Sequence, residues 1–391
     1  MTLNKNEFGE LVKAYRKQRG WTQGELAERW GYTSSYVSQI EGGKRKLDSA
    51  SQIVRLADLL DIPQEKLEAI GRGIPTRKID AQDPQQADSA ILQMLLAPDR
   101  DMVRLSYLVW LGDQHPVIEE NLRSLVFNLD HALTTYQGEF RKPAQQLLAY
   151  AHQMQGKIAF DRLDFAAASG HFSEMIDLGQ ELNDADIIAT GMVHQGSILR
   201  KRGRFEQALR CFEATKPFSN VASSSVQGMR YTQMARAFYD FGNEEGFLRV
   251  INPAIEIATN MKDSIDSLAN EFSLDDVLCE QASGFTELWK PEKALEIYKK
   301  TDRLRPSRLL REQGSYTINK AQAYLHIGDL DKGIKFSLKG IQLASEYRSK
   351  RHIGWIEKSY NRLRVLPIGK DKRMETLHEA LLESRKKQAD W

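Results

Sequence analysis

A run of three cations, Lys44-Arg45-Lys46, is the first feature of the sequence that suggests chemistry. Cationic side chains bind phosphate groups, and the charge elsewhere supports a polyanion at this end of the chain. Residues 1–47 carry nine Lys and Arg against five Asp and Glu, whereas residues 73–391 carry 43 of each sign. Any polyanion is therefore expected to meet the amino-terminal segment.

The elements that would position these cations are short helices. The first has one apolar face and ends at Gly20. Thr22 and Glu25 have the spacing of a capping box, which predicts the start of the second helix. A third helix over 34–41 ends at Gly42, and a fourth begins at Asp48 or Ser49. The residues expected to face inward from the first, second and fourth helices are Phe8, Leu11, Val12, Tyr15, Leu26, Ala27, Trp30, Ile53, Leu56, Ala57 and Leu60.

Helix, tight turn and helix is the arrangement whose second member enters the DNA major groove. The sequence TQGELAERWGYTSSYVSQIEGGKRK resembles the XRE/Cro-repressor helix-turn-helix family. The match depends on Thr22-Gln23, Leu26-Ala27, Gly31, Val37-Ser38, Ile40-Glu41 and Gly43-Lys44, and it covers roughly the first seventy residues.

The resemblance implies roles for the matched residues. Gln23, at a helix amino terminus, should hold a phosphate with backbone N–H groups and the helix dipole, and Ser34, Ser35 and Gln39 should face base edges. Arg16 and Glu41 match a structural pair that ties the first helix to the third. A domain that kept the fold and lost DNA binding is the alternative. The expected DNA contacts are Gln23, Ser34, Ser35, Tyr36, Ser38, Gln39, Lys44 and Arg45.

The rest of the chain repeats with a period near forty residues. Each repeat opens with a helix that carries a small residue at one position, and several carry an aromatic residue in the second helix. Helix pairs of this kind cannot bury a face alone, so they stack into a solenoid. The repeats are Tyr150–Leu178, Thr190–Pro217, Gly228–Glu256, Val277–Arg303 and Ser315–Leu343.

These segments resemble tetratricopeptide repeats, with GSILRKRGRFEQALRCFEAT as one of the two best matches. Phe247 and Trp289 depart from the pattern, the first at a small-residue position and the second at a turn glycine. We expect region 91–149 to add one or two degenerate helix pairs, with Pro116 and Pro143 at helix starts. Residues 352–390 end with a charged helix, HEALLESRKKQ, that is suited to cap the array. The fold class is therefore all-α, with domains at 1–71 and 90–391 and a polar linker at 72–89.

The combination resembles the peptide-pheromone receptors of Gram-positive bacteria, the RRNPP group. That resemblance implies a homodimer that binds a palindromic double-stranded DNA operator and a short signalling peptide on the concave face of the array. Amides and guanidinium groups there could hold the peptide backbone or its carboxylate. By register, the peptide-binding candidates are Gln153, Lys157, Arg200, Gln233, Arg236, Tyr239, Asn319 and Gln322.

The composition excludes several classes. Two cysteines, Cys211 and Cys279, are too few for a disulfide framework, which favours a cytoplasmic protein, and no secretory signal or membrane span is evident. We expect no metal, cofactor or catalytic group.

A second hypothesis is a scaffold whose array binds another protein. A deep concave face with amides and one net charge would favour the receptor, and a broad apolar convex patch would favour the scaffold.

Overall fold

The computed structural model describes residues 7–30, 34–44, 56–57, 59–63, 66–67, 84–112, 116–261, 265–267, 270–304 and 307–388. The chain divides into two compact units, Met1–Pro84 and Gln85–Trp391. We call the first the head and the second the array, and we describe each by itself.

Three helices of the head lie within the described residues, and their apolar faces form one core. They are α1 (Glu7–Gln18), α2 (Gln23–Trp30) and α3 (Ser34–Glu41). Leu26, Trp30 and Ile40 are almost fully buried, and Leu56 and Leu60 from further along the chain join them. The expected inward positions are therefore confirmed there, whereas Ile53 lies outside the described residues.

The array consists of helices that pack as consecutive antiparallel pairs. Its helices are α4 (Pro84–Gly112), α5 (Pro116–Thr135), α6 (Arg141–Asp161), α7 (Phe165–Leu182), α8 (Ala185–Lys201), α9 (Phe205–Ala214), α10 (Lys216–Ser219), α11 (Ser224–Asp240), α12 (Glu244–Asn260), α13 (Leu274–Glu287), α14 (Pro291–Leu304), α15 (Leu310–Ile327), α16 (Leu330–Glu346), α17 (Lys350–Leu363) and α18 (Arg373–Gln388). A 3₁₀ turn, Pro367–Lys370, separates the last two. The five predicted repeats correspond to α6–α7, α8–α9, α11–α12, α13–α14 and α15–α16.

Two expectations about the array need correction. A short antiparallel ribbon, β1 (Ile265–Ser267) with β2 (Asn270–Glu271), interrupts the helices, although no strand was expected. Strands of two and three residues lie below the length that apolar alternation can reveal. Helix α4 begins at Pro84, so residues 84–89 are helical although the linker was expected to include them. The fold class remains all-α.

Small residues in the first helix of a pair accommodate aromatic rings from the second helix. A Cβ built on Gly156 would lie 2.4 Å from the Phe172 ring, and one built on Gly196 would lie 2.4 Å from Phe212. Both rings are buried. In these two repeats the small-residue and aromatic positions are therefore confirmed as contacting partners.

The turns within the pairs need a left-handed residue. Gly203, Gly242 and Gly328 have φ of 73°, 79° and 87°. Trp289 takes the same conformation with φ of 59°, so this departure from the glycine pattern keeps the turn at the expense of backbone strain. The indole stacks on His326 with ring centroids 4.5 Å apart, which offsets part of that strain.

Gly196→Ala is expected to destabilise the array by about 1–3 kcal/mol, because the new methyl group overpacks the Phe212 ring. Gly170→Ala is the matched control, since a Cβ there meets nothing within 4 Å. That change is expected to stabilise helix α7 by about 0.5–1 kcal/mol through helix propensity. Denaturant unfolding of both variants measures the difference, and equal effects would contradict this packing.

The array closes on itself through one buried carboxylate. Asp161, at the end of α6, accepts hydrogen bonds from Arg311 Nη1 at 2.6 Å and from Arg351 Nε at 3.0 Å. Ser349 Oγ donates to the same carboxylate at 3.0 Å. Helices α6, α15 and α17 are thus joined across the array, and we call this group the Asp161 clasp.

Candidate functional site

A buried ion pair fixes α3 in the head. Glu41 accepts hydrogen bonds from Arg16 Nη2 at 2.9 Å and from Arg16 Nε, which makes the pair bidentate. Arg16 also donates to the carbonyl of Trp21, and Gln23 Nε2 donates to Glu41 at 2.8 Å. The predicted structural pair is therefore confirmed, and it also holds the start of α2.

Burial alone would raise the pKa of Glu41, but the hydrogen bonds from Arg16 and Gln23 outweigh it and lower that pKa. The carboxylate therefore stays charged. The Gln23 side chain is engaged in this network, so a phosphate contact at the start of α2 would have to come from backbone N–H groups.

Helix α2 begins with the predicted capping box. Glu25 Oε2 accepts from the Thr22 backbone N–H at 2.7 Å, and Thr22 Oγ1 accepts from the Glu25 N–H at 3.2 Å. The hydrogen bonds to Thr22 lower the pKa of Glu25. The entry into the helix-turn-helix is thus fixed by residues three positions apart.

The outward face of α3 is polar. Ser34, Ser35 and Ser38 are exposed, and Gln39 is half-buried. Val37 and Ile40 on the opposite face are buried in the core of the head. The helix therefore presents hydroxyl and amide groups of the kind that hydrogen-bond base edges.

The three predicted phosphate contacts in and after α3 differ in their exposure. Tyr36 is half-buried and packs against Trp30, with ring centroids 5.8 Å apart. Lys44 is exposed just after the helix, and Arg45 lies outside the described residues. An exposed lysine here suits a phosphate contact beside the groove.

The inner face of the array contains two adjoining cavities. The first encloses 440 Å³ and the second 260 Å³, and both are lined by Arg200, Arg236 and Asp276. The shared residues make the two cavities neighbouring compartments of one trough. Its walls come mainly from the first helices of successive pairs, as the repeat register predicts.

The first cavity is lined by equal numbers of basic and acidic side chains. Arg200 pairs with Asp240 at 2.6 Å, and Arg236 pairs with Glu280, which also accepts from Tyr239. Its charged lining residues are Arg200, Lys201, Arg236, Arg308, Lys358, Arg362, Asp240, Asp275, Asp276, Glu280, Glu287 and Glu312. Such a cavity offers many hydrogen-bonding groups, and neither positive nor negative charge predominates in its lining.

The second cavity is smaller, more aromatic and more cationic. It is lined by Trp110, Lys157, Phe160, Phe172, His194, Ser197, Arg200, Met229, Thr232, Gln233, Arg236, Phe272, Asp276, Val277 and Arg351. His194 stacks on Phe172 with ring centroids 4.5 Å apart. Burial, with a smaller effect of Lys157, lowers the pKa of His194 to about 3, so this imidazole is neutral.

Seven of the eight predicted peptide-binding residues line these cavities. Asn319, Gln322 and Tyr239 line the first, Lys157 and Gln233 the second, and Arg200 and Arg236 both. Gln153 does not line either cavity. It is fully buried, and its Nε2 lies 3.3 Å from the His194 ring, so helix packing takes it away from the trough.

The sequence prediction missed two contributors to the trough. Helix α13 supplies Asp276 and Glu280, and helix α17 supplies Arg351, Lys358 and Arg362. The register of the fourth repeat would have located α13, had carboxylates been considered beside amides and guanidinium groups. Helix α17 was missed because it follows the last of the five predicted repeats, so the register placed none of its residues on the trough.

Lys201 lines the first cavity, and the pKa of its ammonium group is lowered mainly by burial. Burial, together with Arg200 and Arg351, lowers the pKa of this ammonium to about 7.

The described residues contain no group of His, Cys, Asp and Glu suited to a metal ion. No helix within those residues is both long and apolar enough to cross a membrane.

Comparisons with known proteins assign the head to the class of helix-turn-helix domains. The profile of a helix-turn-helix domain matches residues 7–70. The transcriptional repressor RghR of Bacillus subtilis is 40% identical over 60 residues, which are 15% of this chain and 44% of RghR. The regulator SinR of the same organism is 34% identical over 55 residues, which are 14% of this chain and 50% of SinR.

The HTH-type transcriptional regulator YazB of Bacillus subtilis is 38% identical over 60 residues, and the match spans 15% of this chain and 86% of YazB. The chain belongs, through its head, to the helix-turn-helix family of transcriptional regulators that these proteins represent. It spans about half the length of RghR and SinR.

Two solved structures resemble a larger part of the chain at low identity. Bacillus thuringiensis PlcR, in complex with the peptide PapR7 and DNA, is 19% identical with a TM-score of 0.30, covering 76% of this chain and 94% of PlcR. A Rap protein, in complex with competence and sporulation factor, is 13% identical with a TM-score of 0.49, covering 94% of this chain and 99% of the Rap chain.

Proposed function

We propose that the chain is a cytoplasmic transcriptional regulator that binds DNA through α3 and a short signalling peptide through the trough. The observation that carries DNA binding is the exposed polar face of α3 in a head of the helix-turn-helix family. The partner is double-stranded DNA, and a palindromic operator would match two heads of a homodimer. The proposal assigns no catalytic step to the chain.

The DNA contacts proposed are those of the outward face and its flanks. Ser34, Ser35, Ser38 and Gln39 read base edges, and Tyr36, Lys44, Arg45 and the start of α2 at Gln23 contact phosphates. The described part of α3 carries no arginine, so base contacts through hydroxyl groups are weak. Phosphate contacts and dimerisation then supply a large part of the affinity, which makes it strongly dependent on salt.

Gln39→Ala is expected to weaken binding to a selected operator by about 1–3 kcal/mol, and Ser35→Ala by about 0.5–1.5 kcal/mol, because each removes a hydrogen-bonding group from the outward face. Stability should change by less than about 0.5 kcal/mol. Operators selected from random duplexes provide the probe for gel shifts. Gln18→Ala, exposed on α1, is the matched control. Unchanged affinity of both variants would contradict the proposed contacts.

Peptide binding is supported by the form and lining of the trough. It is concave, and its walls carry amides, guanidinium groups, tyrosines and Trp355. Main-chain amides of an extended peptide can pair with such side chains, and the apolar rings can hold its side chains. The scaffold hypothesis required a broad convex apolar patch, whereas the deep trough with a cationic second cavity favours the receptor.

The peptide proposal is tested by affinity selection of random synthetic hexapeptides on the immobilised full-length chain, followed by operator binding in the presence of the selected peptides. We expect retained peptides to change the affinity for the operator, because a ligand that prefers one array shape shifts its population. An Asn319→Ala variant should retain fewer of them. If the chain retains no peptide above background, the peptide part of the proposal is wrong.

A further inference from the structure

One corner of the first cavity contains more cations than carboxylates, although the cavity as a whole is balanced. Helices α8 and α17 bring the cations to this corner, and the ends of α11 and α13 bring the carboxylates. We call the following six lining residues the cationic corner: Arg200, Lys201, Lys358, Arg362, Asp240 and Glu287.

Five of these side chains form one continuous chain of ion pairs. Asp240 pairs with Arg200 at 2.6 Å and with Lys358 at 3.2 Å. Glu287 pairs with Lys358 at 3.0 Å and with Arg362 at 2.5 Å. Two carboxylates therefore serve three cations, and this chain of pairs keeps one positive charge in excess.

Lys201 adds a fourth cation to the corner and brings no carboxylate with it. Within the described residues, its ammonium forms no ion pair with an Asp or Glu. The ammonium lies 5.5 Å from the ring centroid of Trp355, which also lines the cavity. An aromatic face attracts a cation but does not neutralise it, so the excess at the corner rises to two positive charges.

The charged neighbours of Lys201 are mostly cations. Burial is the largest cause that lowers the pKa of its ammonium to about 7, and Arg200 and Arg351 lower it further. Lys358 acts in the same direction, whereas the carboxylate of Asp240 opposes them. Near pH 7 the ammonium therefore carries its charge in only part of the molecules, and a carboxylate placed beside it would favour the charged form.

Arg200 retains a buried donor that has no acceptor. Its side chain is 8% exposed, and its Nη1 donates to Asp240 at 2.6 Å. Its Nε has no hydrogen-bond partner in the described part of the chain. A buried donor without an acceptor costs free energy, so two consecutive residues of the lining, Arg200 and Lys201, would gain from an anionic acceptor.

The position of the corner favours an internal residue of a bound peptide. Arg200 lines both cavities, so the corner lies next to their junction. A peptide that occupies both compartments passes this junction with its middle residues, and their only anionic groups are side chains. The volume of 440 Å³ is within the range of about 300–1,000 Å³ that is typical of ligand cavities, so it has room for such a side chain and its main chain.

We propose that the cationic corner binds the side-chain carboxylate of an Asp or Glu residue in the peptide, with Lys201 as its ion-pair partner and Arg200 beside it. This inference rests on the proposed function and adds to it the chemical class of one peptide side chain. An acidic residue in the middle of the peptide is then part of what the chain recognises.

The experiment compares two pools of random hexapeptides, all with an acetylated N-terminus and an amidated C-terminus. One pool contains Asp and Glu but no Asn or Gln, and the other contains Asn and Gln but no Asp or Glu. The pools compete for the immobilised full-length chain, and mass spectrometry identifies the retained peptides. We expect the acidic pool to be enriched about tenfold, the factor of one hydrogen bond between charged groups.

Variants of Lys201 assign the preference to this corner. Lys201→Met should reduce the enrichment severalfold, and Lys201→Arg should keep most of it, because the guanidinium group supplies the same charge. Lys335→Met is the matched control, since Lys335 is exposed on α16 and lines neither cavity. Arg200 is not the first choice for substitution, because its loss would also leave Asp240 with one partner fewer.

Proton uptake separates a direct contact with Lys201 from a general effect of positive charge. A carboxylate beside the ammonium raises its pKa from about 7, so binding of a retained acidic peptide near pH 7 should take a proton from the buffer. Titration calorimetry in two buffers of different ionisation enthalpy measures this uptake. Lys201→Met and Lys201→Arg should both lose it, although the arginine variant keeps its preference for acidic peptides.

The outcomes separate this inference from the proposed function. Equal retention of the two pools would overturn the carboxylate site and leave peptide binding intact. An enrichment that persists in Lys201→Met would place the carboxylate elsewhere and would also overturn it. If unblocked hexapeptides are retained and neither blocked pool is, the chain recognises the terminal groups and the assignment to a side chain is wrong. If no hexapeptide of any kind is retained, the peptide proposal itself fails.

Discussion

Glu41→Ala is expected to unfold the head or leave it marginally stable. The change leaves the Arg16 guanidinium group buried without its counter-ion and removes the acceptor of Gln23. Breaking one side of a buried ion pair costs about 3–5 kcal/mol. A domain of this size has about 4–10 kcal/mol of stability in total, so the loss is a large fraction of it. Hydrogen exchange of residues 7–44 in the full-length chain measures the effect.

Two further variants make this prediction specific to the pair. Glu28→Ala removes a carboxylate that is exposed on α2, and it should change the stability by less than about 0.5 kcal/mol. The double variant Arg16→Met/Glu41→Leu should recover most of the loss, because apolar side chains of similar volume can replace a buried pair. Exchange protection in Glu41→Ala equal to that of the parent chain would show that the pair contributes little.

The head could be predicted in detail because its determinants are local or form a compact signature. Thr22 and Glu25 are three residues apart, and each satisfies a backbone N–H of the other. Arg16 and Glu41 are more distant, yet the family resemblance implied their contact. No local pattern shows that the Gln23 side chain turns inward toward the Glu41 carboxylate. The phosphate contact through the backbone N–H groups at this position stays a prediction.

The repeats of the array were predictable for a different reason. A period near forty residues records the contact between Gly156 and Phe172 and repeats it between Gly196 and Phe212. The same register placed Arg236 and Asn319 on the trough. It could not distinguish a side chain that faces the trough from one that packs between helices, and Gln153 falls in the second class.

The closure of the array could not be predicted from periodicity. Asp161 and Arg351 are 190 residues apart, and no repeat connects a carboxylate of the first predicted pair with a guanidinium group beyond the last. Their contact depends on the accumulated rotation of all the intervening helix pairs.

Asp161→Asn is the change expected to affect the array most. The asparagine keeps the shape but removes the negative charge, so Arg311 and Arg351 remain buried without a counter-ion. We expect a loss of about 3–5 kcal/mol, the magnitude for breaking a buried ion pair on one side. Arg311 also donates to the carbonyl of Trp110 at 2.8 Å, so helices α4, α6, α15 and α17 should lose exchange protection together.

The pH dependence gives an independent test of the same clasp. Burial would raise the pKa of Asp161, but Arg311 and Arg351 outweigh it and lower that pKa well below the usual value. The folded chain therefore binds fewer protons at Asp161 than the unfolded chain does. This contribution to stability is complete above the unfolded-state pKa of about 3.9 and is lost as the pH falls toward the folded-state value.

Urea unfolding from pH 6 to about pH 3 should accordingly show a smaller loss of stability in Asp161→Asn than in the parent chain. Asp177→Asn, exposed on α7, should follow the parent. Parallel curves for all three chains would show that the carboxylate does not hold the array closed.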